Sequence, residues 1–273
     1  MKINPTRVAK TTVAQQLAEQ ATDKTVCTWD QIVLSHYHEH VKVFSEDAAH
    51  RFPESCEWDH AIDLKPDAPN TMDCKVYPLS PSEDIALQKF ITENLEKGYI
   101  RQSKSPYAFP FFFIQKKNGD LRPVQDYRRL NTFTVHNTAP LPLIRELMDR
   151  LTRVHGRRSA LFTKLDIRWG YNNVRMRDGD QWKAAFKTNR GLFEPMVMFF
   201  GLTNAPTTFQ SMMNHLFCEL IDEGYVTIYM DDILIHTPND PALHRRVVND
   251  VLDRKSTRLN SSHSLSSRMP SSA

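Results

Sequence analysis

The sequence has 273 residues, of which 40% are hydrophobic and 25% charged, a composition typical of a globular protein with a sizeable core. No stretch of about 18 apolar residues is present and the N-terminal residues lack an apolar segment, which excludes a membrane-spanning helix and a secretory signal. The 8 glycines form no glycine-rich phosphate loop, whereas the formal net charge of +3 excludes nothing by itself.

Residues 1–79 show no sustained hydrophobic periodicity, and we expect residues 1–75 to form a linker region. The cysteines at positions 27, 56, 74 and 218 have no regular spacing. We therefore expect free thiols and a reducing, intracellular location, in a cytoplasmic particle or the nucleus.

A helix is predicted over residues 80–98. Ser80 is a suitable N-cap, Pro81 suits the first helical position, and Glu83 would complete a capping box. Apolar residues then recur at spacings of three and four as far as Leu95, and Gly98 suits the C-terminal cap.

A β-hairpin is predicted next, because Asn118-Gly119 separates the β-prone runs Phe109–Gln115 and Leu121–Gln125. Cations lie at its tip and on its return strand, at Lys116, Lys117 and Arg122. They could form a flexible lid over phosphate groups, or the lysines could simply protect an edge strand from aggregation.

A strand, a helix and a second β-hairpin are predicted in the second half of the chain. Leu161–Ile167 is predicted to be a strand that ends near Asp166, and Asn204–Glu219 an amphipathic helix with core methionines. Tyr225–His236 is predicted to be two β-arms around Met230-Asp231-Asp232. Two adjacent carboxylates in an otherwise apolar hairpin are costly unless a cation neutralises them.

Charge is distributed unevenly along the chain. Residues 1–99 have a net charge of −6, residues 100–190 have 19 basic against 7 acidic residues, a net of +12, and residues 191–253 have a net of −7. The basic block indicates either a surface that contacts a polyanion beside metal-binding carboxylates or a solvated basic face.

The carboxylates Asp166, Asp231 and Asp232 are suitable ligands for Mg²⁺, which takes a few carboxylates together with water and phosphate oxygens. Two such ions can activate a hydroxyl group and stabilise a leaving oxygen in phosphoryl transfer. With cations available for a triphosphate, these residues favour a nucleotidyl transfer reaction.

Between Trp58 and Asp253 the sequence resembles the reverse transcriptases of gypsy-type LTR retrotransposons. The resemblance is carried by several motifs in the family order, namely WDHAIDLKPD (58–67), KVYPLSP (75–81), ENLEKGYIRQSKSP (93–106), LRPVQDYRRLN (121–131), FTKLDIRWGYNNVRM (162–176), FGLTNAPTTFQ (200–210) and YMDDILIHT (229–237). It implies an α+β right-hand polymerase with fingers and palm in residues 76–253, whose antiparallel palm sheet is backed by helices, and an RNA-directed DNA polymerase activity.

The resemblance also implies roles for single residues. Asp166, Asp231 and Asp232 would be the catalytic residues and would bind two Mg²⁺ ions, with Mn²⁺ as a possible substitute and the Ile167 carbonyl nearby. Tyr171 would exclude a 2′-hydroxyl by a steric clash. The remaining nucleotide-binding residues would be Lys116, Arg122, Phe200, Gln210 and Met230. The implied partners are an RNA or DNA template with its primer and deoxynucleoside triphosphates, without a membrane; the oligomeric state stays open.

Two departures from the family pattern concern length. The segment 152–160 is longer than the turn that the family pattern predicts before FTKLD. The C-terminal segment 254–273 contains 8 serines and no acidic residue. We expect this tail to be non-native, a genuine disordered tail being the alternative, and the chain to be a truncated fragment without a thumb. We expect the truncation to impair the polymerase activity, and a non-catalytic nucleic-acid-binding remnant is the competing function.

Overall fold

The structure is a computed structural model that describes residues 33–44, 52–116, 119–155 and 160–258, with side chains outside the description at 150–155 and 255–258. The chain divides into two units, Met1–His38 and Glu39–Ala273. The first unit is described from residue 33 onward. A 3₁₀ helix spans Ser35–His40. All further elements belong to the second unit.

The described residues of the second unit contain helices and strands in mixed order. The α-helices are α1 (Val41–Phe44), α2 (Pro81–Glu96), α3 (Arg128–Phe133), α4 (Ile144–His155), α5 (Ala205–Leu216), α6 (Cys218–Asp222) and α7 (Pro241–Arg258). The strands are β1 (Met72–Asp73), β2 (Ile100–Gln102), β3 (Tyr107–Gln115), β4 (Leu121–Gln125), β5 (Ala160–Asp166), β6 (Phe186–Thr188), β7 (Gly191–Pro195), β8 (Val226–Tyr229) and β9 (Asp232–Pro238).

Two sheets organise these strands. The first is a mixed sheet in the order β1-β3-β6-β7-β2, in which β4 pairs with the C-terminal half of β3. The pairs β1/β3 and β3/β6 are parallel and the others are antiparallel. The second is an antiparallel three-stranded sheet in the order β5-β9-β8.

An aromatic core joins α2 to the first sheet. Leu87 and Ile91 of the helix pack against Phe111, Phe186 and Phe193 of the strands, and all five side chains are buried. Aromatic side chains remove a large apolar area from water, so this cluster accounts for much of the local stability.

The locally encoded elements agree with the sequence predictions. In α2, the Ser80 hydroxyl and the Glu83 carboxylate form the predicted capping box, and Gly98 has a φ of +71° just beyond the helix. The β3–β4 hairpin and β5 are also confirmed. The helix predicted over residues 204–219 is interrupted at Phe217, where α5 ends and α6 begins.

Several sequence predictions fall outside the description. Lys117 and Asn118 at the hairpin tip, residues 156–159 of the expected insertion and residues 259–273 of the serine-rich tail all lie outside the described residues. Among the helices that are described, none is long and apolar enough to cross a membrane.

Candidate active site

The second sheet brings three aspartates to one end. Asp166 is the last residue of β5 and pairs in register with Asp232, the first residue of β9. Asp231 lies in the turn that connects β8 to β9. The backbone N–H of Ile167 donates to the Asp231 carbonyl at 2.8 Å, which ties the end of β5 to this turn.

The turn has an unfavourable backbone conformation that Gln210 stabilises. Met230 has a φ of +53°, a left-handed conformation that costs a non-glycine residue roughly 1 kcal/mol or more. Its N–H donates to Gln210 Oε1 at 2.8 Å, while Gln210 Nε2 donates to Asn214 Oδ1 at 2.8 Å and to the Ile228 carbonyl at 3.3 Å. Gln210 is only 1% exposed, so α5 supports the turn from within the core.

Asp231 is the electrostatically strained carboxylate of the three. Burial, followed by the negative charges of Asp166 and Asp232, raises its pKa to about 6, while the Arg122 charge acts in the opposite direction. Its Oδ1 is buried and has no hydrogen-bond partner among the described residues. An ionised carboxylate in this position is stabilised by a nearby cation.

Gly170 packs directly against this carboxylate. A Cβ atom added at position 170 would lie 2.8 Å from Phe209 Cζ and closer still to Asp231 Oδ1. Real Cβ atoms do not approach other atoms so closely, so a side chain here would have to displace the Asp231 carboxylate or the Phe209 ring. Glycine therefore leaves the space that Asp231 occupies.

Next to the aspartates, Arg122, Phe200 and Tyr171 form a stack. The Arg122 guanidinium carbon lies 4.5 Å from the centroid of the Phe200 ring, and the Phe200 and Tyr171 centroids are 4.7 Å apart. Tyr171 is 7% exposed, and burial together with the Asp231 charge raises the pKa of its hydroxyl to about 12. The phenol is therefore neutral at physiological pH.

The remaining sequence candidates lie in different surroundings. Lys116 is exposed at the end of β3, and among the described residues no hydrogen bond or ion pair connects its side chain to the aspartates. Met230 is half-buried in the turn itself. Gln210 is enclosed beneath the turn, and its expected part in lining the nucleotide pocket stays a prediction.

The uneven charge along the sequence is partly cancelled in the folded chain. Lys187 of the basic block lies 2.9 Å from Asp73, and Arg190 lies 2.6 Å from Asp84. Both acids come from the acidic N-terminal block. Folding therefore pairs the two blocks, and the net of +12 overstates the positive charge that a polyanion would meet.

The donor set suits a hard divalent cation, although no group of three metal-ligating side chains is assembled within the described residues. Carboxylate oxygens, an unpartnered buried oxygen and an excess of negative charge are the features that Mg²⁺ or Mn²⁺ sites share. Asp232 Oδ1 also contacts a cation of the chain, Lys164 Nζ, at 2.8 Å.

Sequence reasoning missed Lys164 and Gly170. Lys164 precedes Asp166 by two residues on the same strand, so the period of two could have placed both on one face. The contact of Gly170 with Asp231 depends on a turn 60 residues away, and no local signal indicates it.

Comparisons with known proteins agree on one family. Residues 114–261 match the family model described as reverse transcriptase (RNA-dependent DNA polymerase). The chain is 43% identical over 178 residues to the Transposon Tf2-3 polyprotein and 42% identical to the Transposon Tf2-7 polyprotein, both of Schizosaccharomyces pombe (strain 972 / ATCC 24843). These matches cover 65% of this chain and 13% of each polyprotein, so the chain spans about an eighth of the length of these relatives.

Similar solved structures include two complexes of the foamy viral protease-reverse transcriptase. The complex with an RNA/DNA hybrid has a TM-score of 0.73 at 17% identity and covers 98% of this chain and 35% of that one. The complex of the dRH form with double-stranded DNA has a TM-score of 0.72 at 17% identity and covers 98% and 46%. At these identities the likeness is one of fold.

Proposed function

Because the chain belongs to the reverse transcriptase (RNA-dependent DNA polymerase) family, we propose that it adds deoxynucleotides to a primer 3′-hydroxyl on an RNA or DNA template and releases pyrophosphate. The observation that carries the proposal is the position of Asp166, Asp231 and Asp232 at one end of the second sheet, beside the Arg122 stack. The retrotransposon relatives and the nucleic-acid complexes of the structural neighbours support the choice of substrate and partner.

In this proposal Asp166 and Asp231 hold Mg²⁺ or Mn²⁺, with Asp232 as a third carboxylate. When bound, two divalent ions would activate the primer hydroxyl and stabilise the charge on the leaving pyrophosphate. The chain's own contribution is to fix the carboxylates: the Ile167 N–H holds the Asp231 backbone, and Gln210 holds the neighbouring Met230 N–H.

The stack beside the aspartates would bind the incoming nucleotide. Arg122 would bind the triphosphate by charge-assisted hydrogen bonds, with Lys116 at the hairpin as a second cation. Phe200 would line the nucleotide pocket and its template side, and the Tyr171 ring would lie beneath the deoxyribose, where it leaves no space for a 2′-hydroxyl. Met230 would pack near the primer end.

We assign the polymerase subdomains on the same basis. The first sheet with α2 would form the fingers, and the second sheet, backed by α5 and α7, would form the palm, both within residues 76–253. Residues 1–75 would precede them as a linker. Since His60 and Ile62 of that segment are buried, an expressed fragment should retain them.

Primer extension tests the proposal, with template–primer binding measured in parallel by fluorescence anisotropy over a salt series. We expect Asp231→Asn to abolish incorporation and to leave binding in place. Asp178→Asn is the matched control. Asp178 is an exposed aspartate that forms an ion pair with Arg175 and does not belong to the group of three aspartates.

Retained incorporation in Asp231→Asn would contradict the assignment of the site. Salt-sensitive binding without extension by the wild-type chain would favour the non-catalytic nucleic-acid-binding role, since phosphate contacts lose affinity steeply as salt increases.

A further inference from the structure

An ammonium group lies beside the candidate metal site. Lys164 Nζ is 2.8 Å from Asp232 Oδ1, and the two side chains are 52% and 51% exposed. Asp232 pairs in register with Asp166, and Lys164 precedes Asp166 by two residues on β5. Lys164 is thus a cation in direct contact with one of the three aspartates.

The strand geometry keeps Lys164 in this position. Side chains on β5 alternate between buried Thr163 and Leu165 and exposed Phe162, Lys164 and Asp166. Residues two apart on a strand lie about 7 Å apart on the same face, so the ammonium can reach the end of the sheet but cannot turn into the core. The lysine side chain therefore extends on the face of the sheet that carries Asp166.

We propose that Lys164 is a positioning residue that neutralises Asp232, competes with a divalent cation for that carboxylate and leaves Asp166 and Asp231 as the main protein ligands. This inference rests on the proposed function. Removing the ammonium would make the group of carboxylates more negative and would free Asp232 Oδ1 for a cation. An arginine would preserve the charge and the hydrogen bond.

The alternative is an ordinary surface ion pair, which contributes little to any property of the protein. Lys187 and Asp73 form such a pair at 2.9 Å between β6 and β1, in the other sheet. Lys187→Met therefore removes the same charge from a similar pair and serves as the matched control.

Mn²⁺ binding to the full chain, without nucleic acid or nucleotide, tests the inference. The loss of the free Mn²⁺ signal in electron paramagnetic resonance gives the dissociation constant, and Asp231→Asn identifies the part of the binding that belongs to this site. We expect Lys164→Met to tighten the binding that depends on Asp231 by about three- to tenfold, the scale of a unit charge a few ångströms away in a water-exposed site. Lys164→Arg and Lys187→Met should stay within about twofold of the wild type.

The outcomes separate the inference from the proposed function. If Mn²⁺ binding depends on Asp231 but Lys164→Met leaves it unchanged or weaker, the role of Lys164 is wrong and the metal site stands. If no Mn²⁺ binding depends on Asp231, the inference is wrong because no cation competes with the lysine. In that case, a failure of primer extension would also overturn the proposed function.

Discussion

Replacing Gln210 with leucine should destabilise the turn that carries Asp231. Leucine fills a similar buried volume but offers no acceptor for the Met230 N–H and no donor for the Ile228 carbonyl or Asn214. Losing a hydrogen-bond partner in a buried site costs about 1–3 kcal/mol, and we expect about 2 kcal/mol because Met230 is only half-buried. The turn should also leave its left-handed conformation at Met230.

Urea unfolding followed by circular dichroism measures the loss of stability. The Mn²⁺ titration reports the change in the turn, because the turn carries Asp231. Asn214→Ala is the control, since Asn214 is the exposed end of the same network and its loss should cost less than about 0.5 kcal/mol. A Gln210→Leu protein with wild-type stability and a selectively raised KM for the nucleotide would refute this reasoning. It would instead show that Gln210 contacts the nucleotide, as the family resemblance had suggested.

Three further predictions concern His60, Gly170 and Tyr171. Burial lowers the pKa of His60 to about 4 in the folded chain, whereas the pKa of the imidazole in the unfolded chain is near 6.5. Between these values the unfolded chain binds a proton more readily than the folded chain. The stability from the neutral ring is full above pH 6.5, and about 3 kcal/mol is lost as the pH falls to 4. Urea unfolding should show the difference between wild type and His60→Asn shrinking by this amount; a constant difference would contradict it. Gly170→Ala should weaken Mn²⁺ binding about tenfold by displacing Asp231. A Cβ at Gly179 would meet no atom within 4 Å, although the φ of +89° there strains the backbone of any other residue. Gly179→Ala should therefore cost stability but leave Mn²⁺ binding unchanged, and equal losses of Mn²⁺ binding in the two variants would refute the steric argument. Tyr171→Ala should raise the ratio of ribonucleotide to deoxyribonucleotide incorporation, and an unchanged ratio would remove Tyr171 from the sugar site.

Elements whose signals are local could be predicted from the sequence. Ser80, Glu83 and Gly98 determine both ends of α2 through contacts within a few residues. The hairpin of β3 and β4 likewise follows from two β-prone runs around Asn118-Gly119. In both cases the interactions that stabilise the element join residues close in sequence, so a local sequence pattern is enough to predict it.

Features that depend on distant partners could not be predicted. Residues 1–75 show no periodicity, yet His60 is 1% exposed because its backbone pairs with Met176 and its ring lies 3.2 Å from Thr208 Oγ1. The pairing of Lys187 with Asp73 similarly spans 114 residues. Contacts of this kind are set by how the strands are ordered, which the sequence pattern does not specify.

The candidate site shows both cases. The motifs predicted that Asp166, Asp231 and Asp232 act together, and the structure brings the three to one end of the second sheet. They did not indicate that Gln210 supports the turn or that Lys164 contacts Asp232. Both contacts join residues of different elements, and the side chains involved are common in other settings.

Addition of one nucleotide to a primer on an RNA template, with each deoxynucleoside triphosphate supplied separately, tests the central claim most directly. We predict that the wild-type chain adds only the complementary nucleotide and that Asp166→Asn and Asp231→Asn each lose the addition while still binding the template–primer. Addition that persists in either variant, or binding by the wild-type chain without any addition, would contradict the account.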